Sequence, residues 1–190
     1  MQKEEIKRNL LGSLEVALFM PTIEKRFGNN YHEALRSFFI PVFLFPIAML
    51  TAMLFPTITQ SGGSDHTLSL LYSLRYAGAV ALFLGLVYVV AVNIDRREHF
   101  VQFIIANNWA AVPSMILLIP IILAVTSGAY TAQEMLPFLV CMIIYSYAFT
   151  AFIAMRIFRI PWEMGVFFAF ISLMINQGSF QMMTWVAQLI

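Results

Sequence analysis

The sequence predicts an all-α polytopic membrane protein, in which a bundle of five transmembrane helices follows an amphipathic interfacial helix. The first observation is composition: 61% of the 190 residues are hydrophobic and 11% are charged, whereas soluble domains carry about 25% charged residues. The second is that five apolar segments reach the roughly 20 helical residues needed to cross about 30 Å of hydrocarbon. The third is that the connections between these segments carry Lys and Arg only on alternate sides.

The predicted spans cover residues 37–55, 70–92, 100–125, 135–158 and 162–181. The connections between them are too short to hold a soluble domain. We therefore expect two parts, a cytoplasmic amphipathic N-terminal segment over 1–30 and a single five-helix transmembrane domain over 31–190.

An apolar stripe precedes the first span. Its members recur at helical spacing and are Ile6, Leu10, Leu14, Ala17 and Leu18. Lys3 and Lys7 lie along this stripe, whereas Glu5, Arg8 and Glu15 point away from it. The pattern favours a helix that lies in the membrane interface with its lysines at the lipid headgroups. The alternative is a cytoplasmic helix packed on the bundle.

The distribution of basic residues predicts the orientation. Lys and Arg occur before the first span, between the second and third, and between the fourth and fifth. The other two connections and the C-terminal tail contain neither residue type. Because positively charged loops stay in the cytoplasm, we expect a cytoplasmic N-terminus, an external C-terminus and a location in the bacterial cytoplasmic (inner) membrane.

Three side-chain amides lie within the third span, at Gln102, Asn107 and Asn108. In a continuous helix, Asn107 shares one face with the small residues Ala110, Ala111 and Ser114, and Asn108 lies about 100° round from it. This face is predicted to point into the bundle and to form interhelical hydrogen bonds; a substrate or ion site is the alternative. Gln102 lies near enough to the cytoplasmic end to reach water or headgroups.

Arg75 is the one ionisable candidate within a span. If the second helix enters the membrane at Leu70, then Arg75 lies at the level of Asn176 and Gln177, whose amides would solvate the guanidinium. The alternative starts the hydrocarbon at Ala77 and leaves Arg75 in an interfacial aromatic belt, with its head group extended to the lipid headgroups.

Small residues line one face of the second span. Gly78, Ala81 and Gly85 recur at helical spacing, and such a face lets another helix approach closely. We therefore expect this face to take part in helix packing.

No catalytic or metal-binding motif occurs in the sequence, which predicts neither an enzyme nor a cofactor. His32 and His99 are expected in the cytoplasm and His66 outside, so the three histidines cannot form one metal site. The 11 basic and 10 acidic residues nearly balance, which gives no indication of a nucleic-acid partner.

The segments "EALRSFFIP", leading into the first span, and "FIIANNW", in the third, resemble a group of bacterial multipass proteins similar to the Yip (Ypt-interacting protein) domain family. The resemblance extends from about Tyr31 onward and implies five spans, a cytoplasmic N-terminal region and an external C-terminus. Eukaryotic Yip proteins are associated with vesicle trafficking, membrane shaping and small-GTPase partners. Their aspartate-leucine-tyrosine-glycine-proline run is absent here, and only the topology is transferred.

These observations favour a non-enzymatic protein that acts by association with the lipid bilayer and with a membrane-protein partner or a second copy. It would organise the membrane or serve as an accessory subunit of a membrane complex. The alternative is a small transporter or channel with a polar path through the bundle. The residues of that path would be Asn107, Asn108, Arg75, Asn176 and Gln177.

Overall fold

The structure, a computed structural model, describes residues 3–55 and 65–188. These residues form eight α-helices and two short 3₁₀ turns, with no strand among them. Five stretches are long and apolar enough to cross a membrane, Tyr31–Leu54, Leu70–Asn93, Arg97–Thr126, Ala132–Phe158 and Trp162–Met183. The predicted fold class, an all-α polytopic membrane bundle, is confirmed.

The helices follow one another along the chain with short connections. They are α1 (Lys3–Ala17), α2 (Tyr31–Ser37), α3 (Phe39–Leu54), α4 (Asp65–Asn93), α5 (Phe100–Trp109), α6 (Ala111–Thr126), α7 (Ala132–Phe158) and α8 (Trp162–Gln188). The 3₁₀ turns cover Pro21–Lys25 and Arg97–His99. The first span therefore consists of α2 and α3, and the third contains α5 and α6.

The first and third spans each consist of two helices, which corrects the continuous helix assumed for the face of Asn107 in the third span. The breaks fall at Phe38 and Ala110, whose backbone angles are nearly identical at φ −63, ψ −17 and φ −64, ψ −17. Each break lies three residues before a proline, Pro41 or Pro113. A proline ring lacks the N–H that would bond the carbonyl four residues back and also clashes with that carbonyl. The α-helical ladder therefore stops just before these positions.

Three helices end in the left-handed conformation without a glycine. Phe19, Asp95 and Arg159 have φ values of 53, 56 and 54 and follow the ends of α1, α4 and α7. In each case the next residue donates its N–H back to the last turn, as Met20 does to the carbonyl of Glu15 at 2.8 Å. This is the Schellman arrangement, in which glycine is the usual residue because a side chain costs roughly 1–2 kcal/mol there.

The N-terminal segment, residues 3–30, packs against one end of the bundle. Gln102 on α5 and Arg156 on α7 both donate hydrogen bonds to its backbone carbonyls. The α4–α5 and α7–α8 connections, which carry the remaining loop arginines, lie at this same end. We call it the basic end.

The core is concentrated near the basic end. Phe103, Phe158 and Phe168 are fully buried and stack on one another, with ring centroids 5.2 Å apart for the first two and 5.6 Å for the last two. They join α5, α7 and α8. A smaller cluster of Phe55, Leu118, Ile121 and Ile122 connects α3 to α6 at the opposite end.

A close contact between α7 and α8 is made at Gly165, a glycine that the sequence pattern did not indicate. A Cβ atom built on Gly165 of α8 would lie 2.6 Å from the carbonyl oxygen of Ala151 on α7. By contrast, a Cβ atom on Gly78 or Gly85 of α4 would meet nothing within 4 Å. The close packing of α7 against α8 therefore requires a glycine at position 165. The predicted small-residue face of α4 is not packed against another helix in the part of the chain that the structure describes.

Gly165→Ala is expected to lower the free energy of unfolding by about 1–3 kcal/mol, because the added methyl group forces α7 and α8 apart. Gly85→Ala is the matched control: it adds the same methyl group to a helix in open space and should be neutral or stabilising by up to about 1 kcal/mol. Thermal unfolding of both variants in one detergent measures the difference. Equal midpoints would show that Gly165 is not a close-packing position.

Candidate functional site

Helix α1 packs on the bundle through its small and polar residues. The buried positions recur at helical spacing and are Asn9, Gly12, Ser13 and Val16. The predicted apolar stripe lies on the outer face: Leu14 is 45% and Leu18 68% exposed. Helix α1 is therefore packed on the bundle, as one sequence interpretation expected. Its apolar stripe also points away from the bundle, as an interfacial helix would require.

A buried carboxylate joins α1 to α2. Glu33 is 7% exposed and accepts hydrogen bonds from Arg8 Nη2 at 2.5 Å and Asn9 Nδ2 at 2.9 Å. Its second oxygen lies against the point that a Cβ atom on Gly28 would occupy, so a side chain at position 28 would displace the Glu33 carboxylate. A charge buried with an arginine and an amide is stabilised by its partners, and removing one partner is costly.

A second ion pair joins the C-terminal end of α1 to the 3₁₀ turn that follows it. Glu15 accepts hydrogen bonds from Arg26 Nε and Thr22 Oγ1, each at 2.8 Å. The hydrogen bond from the Arg26 side chain holds the pKa of Glu15 below its usual value near 4.5, against the opposing effect of burial. The end of α1 is thus tied to the 3₁₀ turn that follows it.

Aromatic and basic side chains from α7 complete this attachment. The ring of Phe19 contacts the rings of Tyr145 and Phe152, with centroids 5.8 and 5.3 Å apart, and the Tyr145 hydroxyl donates to the carbonyl of Ala17. Arg156 donates to the carbonyl of Pro21 at 2.8 Å and pairs with Glu24 at 3.0 Å. These contacts stabilise the left-handed Phe19 and satisfy carbonyls at the end of α1.

Gln102 also holds the N-terminal segment to the bundle and does not face water or headgroups. Its side-chain nitrogen donates to two backbone carbonyls of the N-terminal segment, those of Glu24 at 2.7 Å and Phe27 at 2.9 Å. The amide therefore satisfies two carbonyls exposed where the 3₁₀ turn ends. The expectation that Gln102 reaches solvent is replaced by a structural role.

Asn108, and not Asn107, is the amide that points into the bundle. Asn108 is 5% exposed, and its Nδ2 donates to Ser37 Oγ at 2.9 Å. Asn107 is only partly buried, and its side chain makes no hydrogen bond to the part of the chain that the structure describes. The prediction that Asn107, Ala110 and Ala111 share one face assumed a continuous helix. The helix breaks at Ala110, so the helical spacing from Asn107 does not continue into α6.

At the end of the bundle opposite the basic end, a polar group surrounds Arg75. Its Nη2 donates to Asn176 Oδ1 and its Nε to Ser179 Oγ at 3.3 Å. Asn176 in turn donates to the Tyr147 hydroxyl at 3.2 Å. The guanidinium carbon also lies 5.0 Å from the centre of the Tyr72 ring, within the range of a cation–π contact.

The predicted pairing of Arg75 with Asn176 is present, whereas Gln177 is exposed and makes no hydrogen bond within the described residues. Ser179 and Tyr147 were not selected from the sequence. Ser179 lies one turn beyond Asn176 on the same face of α8. This three-residue spacing is visible in the sequence and could have indicated Ser179 as a second partner of Arg75. Tyr147 is on another helix and gave no such signal.

The small-residue face of α4 is open. Gly78, Ala81 and Gly85 are exposed, and no other described helix fills the space beside the two glycines. Their use in packing against another chain stays a prediction.

Comparison of the chain with protein-family models, with curated proteins and with solved structures found no match. The resemblance to the Yip domain family therefore stays a prediction.

Asn108→Leu is expected to destabilise the protein by about 1–2 kcal/mol, because it removes the hydrogen bond to Ser37 from a buried site. Asn107→Leu is the matched control, since this neighbouring amide has no bond to lose within the described residues, and its unfolding midpoint should change little. Thermal unfolding in detergent compares the two variants. A larger loss for Asn107→Leu would contradict the assignment.

The Glu15–Arg26 contact predicts a defined pH dependence. Because the folded state lowers the pKa of Glu15, its contribution to stability is complete above the unfolded value near 4.5 and disappears as the pH falls through the lower folded value. The stability difference between the parent and Glu15→Gln should therefore shrink as the pH falls below about 4.5. Unfolding midpoints at a series of pH values test this, and a pH-independent difference would refute it.

Proposed function

We propose that this chain is a non-enzymatic protein of the bacterial cytoplasmic membrane that acts by association, organising the membrane or a partner membrane protein at its basic end. The N-terminus lies in the cytoplasm and the C-terminus outside. Loops rich in Lys and Arg remain cytoplasmic, and the N-terminal segment contacts the helix ends that carry these residues, which supports this orientation.

The outward-facing apolar stripe of α1 is the observation that carries the proposal. Ile6, Leu10, Leu14 and Leu18 are each at least 39% exposed and lie on one side of a helix whose other side is fixed to the bundle. Such a stripe is unfavourable in water, at about 25 cal/mol per Å² of apolar surface. The interface of the cytoplasmic leaflet accepts it, with an apolar face towards the acyl chains.

The charges beside the stripe support the same placement. Lys3 and Lys7 are exposed and near the start of the helix. The cytoplasmic leaflet carries anionic lipids, and each nearby Lys or Arg contributes about 1 kcal/mol of attraction to it. The helix α1 thus combines an apolar face with cationic side chains, which is the pattern of an interfacial membrane helix.

The intramembrane amides also favour association over transport. Gln102 and Asn108 are engaged in hydrogen bonds that hold the chain to itself. Asn176 is shared between Arg75 and Tyr147. Amides used in this way stabilise a helix bundle, and Asn108 and Asn176 are two of the residues on which the alternative of a polar path was based.

The depth of α1 can be measured with a fluorescent probe. Leu14→Cys, in a Cys141→Ala background, is labelled with an environment-sensitive fluorophore and reconstituted into vesicles containing phosphatidylglycerol. The emission should shift to the blue and be quenched by lipids that carry a spin label near the headgroup. Lys25→Cys, on the exposed side of the 3₁₀ turn, is the control and should respond to water-soluble quenchers. Quenching of Leu14 from water alone would exclude an interfacial α1.

Association itself is tested by purification in a mild detergent. We expect the parent chain to be recovered as a stable self-associated species or with a stoichiometric membrane-protein partner. Ala81→Leu should weaken this association because it fills the open small-residue face of α4, which allows another helix to approach closely. Val166→Leu, a similar enlargement at an exposed position of α8, should leave it intact. A parent chain that is monomeric and without a partner would overturn the proposal.

A further inference from the structure

A groove opens between α4 and α8 at the end of the bundle opposite the basic end. Its volume is about 670 Å³, within the roughly 300–1,000 Å³ typical of sites for small molecules. Most of the lining is apolar, as shown by Leu74, Gly78, Leu82, Met174, Gly178 and Met182. Arg75 and Ser179 supply its polar groups.

The groove is open beside two glycines. A Cβ atom added to Gly78 or to Gly178 would meet nothing within 4 Å. These residues lie on the two helices that form the groove, so no side chain occupies the space beside either of them. A flexible apolar chain fits such a space without displacing a side chain.

The cation of the groove lacks an anionic partner in the part of the chain that the structure describes. Arg75 makes its hydrogen bonds to the neutral groups of Asn176 and Ser179, and none of the ion pairs formed by the described residues includes it. These bonds engage Nε and Nη2 and leave N–H groups of the fork for another acceptor. An arginine fork matches the oxygens of a phosphate group, whose charge would compensate the guanidinium.

The depth of Arg75 agrees with a lipid phosphate. At about 1.5 Å per residue, Arg75 lies roughly 27 Å along α4 from Asn93 at the basic end. The hydrocarbon layer is about 30 Å thick. Arg75 is therefore close to the far boundary of the hydrocarbon, where the phosphates of that leaflet begin. The part of the groove lined by Gly78, Leu82 and Met174 lies on the membrane-interior side of it.

We propose that this groove binds a phospholipid of the leaflet opposite the basic end, with the phosphate on Arg75 and one acyl chain between α4 and α8. The phosphate supplies the missing negative charge. The acyl chain lies along Gly78 and Gly178. Ser179 and Asn176 hold the guanidinium in place. This site is distinct from the attachment of the N-terminal segment and does not depend on it.

Lipid titration followed by native mass spectrometry tests the site with the full chain in detergent. The probes are palmitoyl-oleoyl phosphatidylglycerol, the diacylglycerol with the same acyl chains, and inorganic phosphate. Phosphatidylglycerol should form a one-to-one complex. Diacylglycerol, which lacks the phosphate, and inorganic phosphate, which lacks the chains, should each bind at least tenfold more weakly.

Two variants separate the parts of the site. Arg75→Gln removes the charge, and Gly178→Leu fills the groove; each should weaken phosphatidylglycerol binding at least tenfold. Gly85→Leu is the matched control, since it adds the same side chain to an open position that does not line the groove, and its affinity should be unchanged. Unfolding midpoints establish that each variant is folded. If Arg75→Gln does not fold, Arg75→Lys replaces it. This variant keeps the charge but lacks the paired N–H donors of the guanidinium, so it should bind phosphatidylglycerol with intermediate affinity.

Unchanged binding in both Gly178→Leu and the charge variant would overturn the proposal. Equal binding of phosphatidylglycerol and diacylglycerol would show that the phosphate makes no contact with Arg75, and tight binding of inorganic phosphate would identify an anion site without an acyl chain. Either result would also contradict the assignment.

Discussion

The hydrogen bond between Asn108 and Ser37 is the constraint on which the basic end depends. It joins the third span to the first next to the two proline-induced breaks, at Ala110 and Phe38. In hydrocarbon, a buried side-chain amide must find its partner within the protein. The bond joins α2 to α5, the two helices that carry Glu33 and Gln102, whose side chains hold the N-terminal segment.

The same arrangement explains why α1 is packed with its polar side inward. The end of the bundle offers hydrogen-bonding groups to α1, including Glu33 from α2 and the Tyr145 hydroxyl from α7. Asn9 donates to Glu33 and Ser13 to a carbonyl of α1 itself, and a Cβ atom on Gly12 would lie 2.8 Å from side-chain atoms of the N-terminal segment, so this side of the helix is buried. The apolar residues of α1 remain on the outer face. The outward direction of the apolar stripe is thus a consequence of the contacts that the other face makes, and not of the helix sequence alone.

Hydropathy and length were sufficient to predict the five spans and the fold class, because these properties depend on local composition. The choice between Asn107 and Asn108 was missed, because two of the small residues that were used to predict the inward face belong to α6, beyond the break that Pro113 produces. Gly165 was also missed: its importance comes from the carbonyl of Ala151 on another helix, and a single glycine has no periodicity to reveal that. The pairing of Arg75 with Asn176 was accessible because helix length alone places them at one depth.

A double-mutant cycle on Ser37 and Asn108 measures whether their hydrogen bond holds the first span to the third. The free energies of unfolding of Ser37→Ala, Asn108→Ala and the double variant are measured in one membrane mimetic and compared with the parent. We expect a coupling energy of about 0.6 kcal/mol, the average for interhelical hydrogen bonds in membranes, and no more than about 1.7 kcal/mol. Losses that add to within about 0.3 kcal/mol would contradict it, because the two side chains would then act independently.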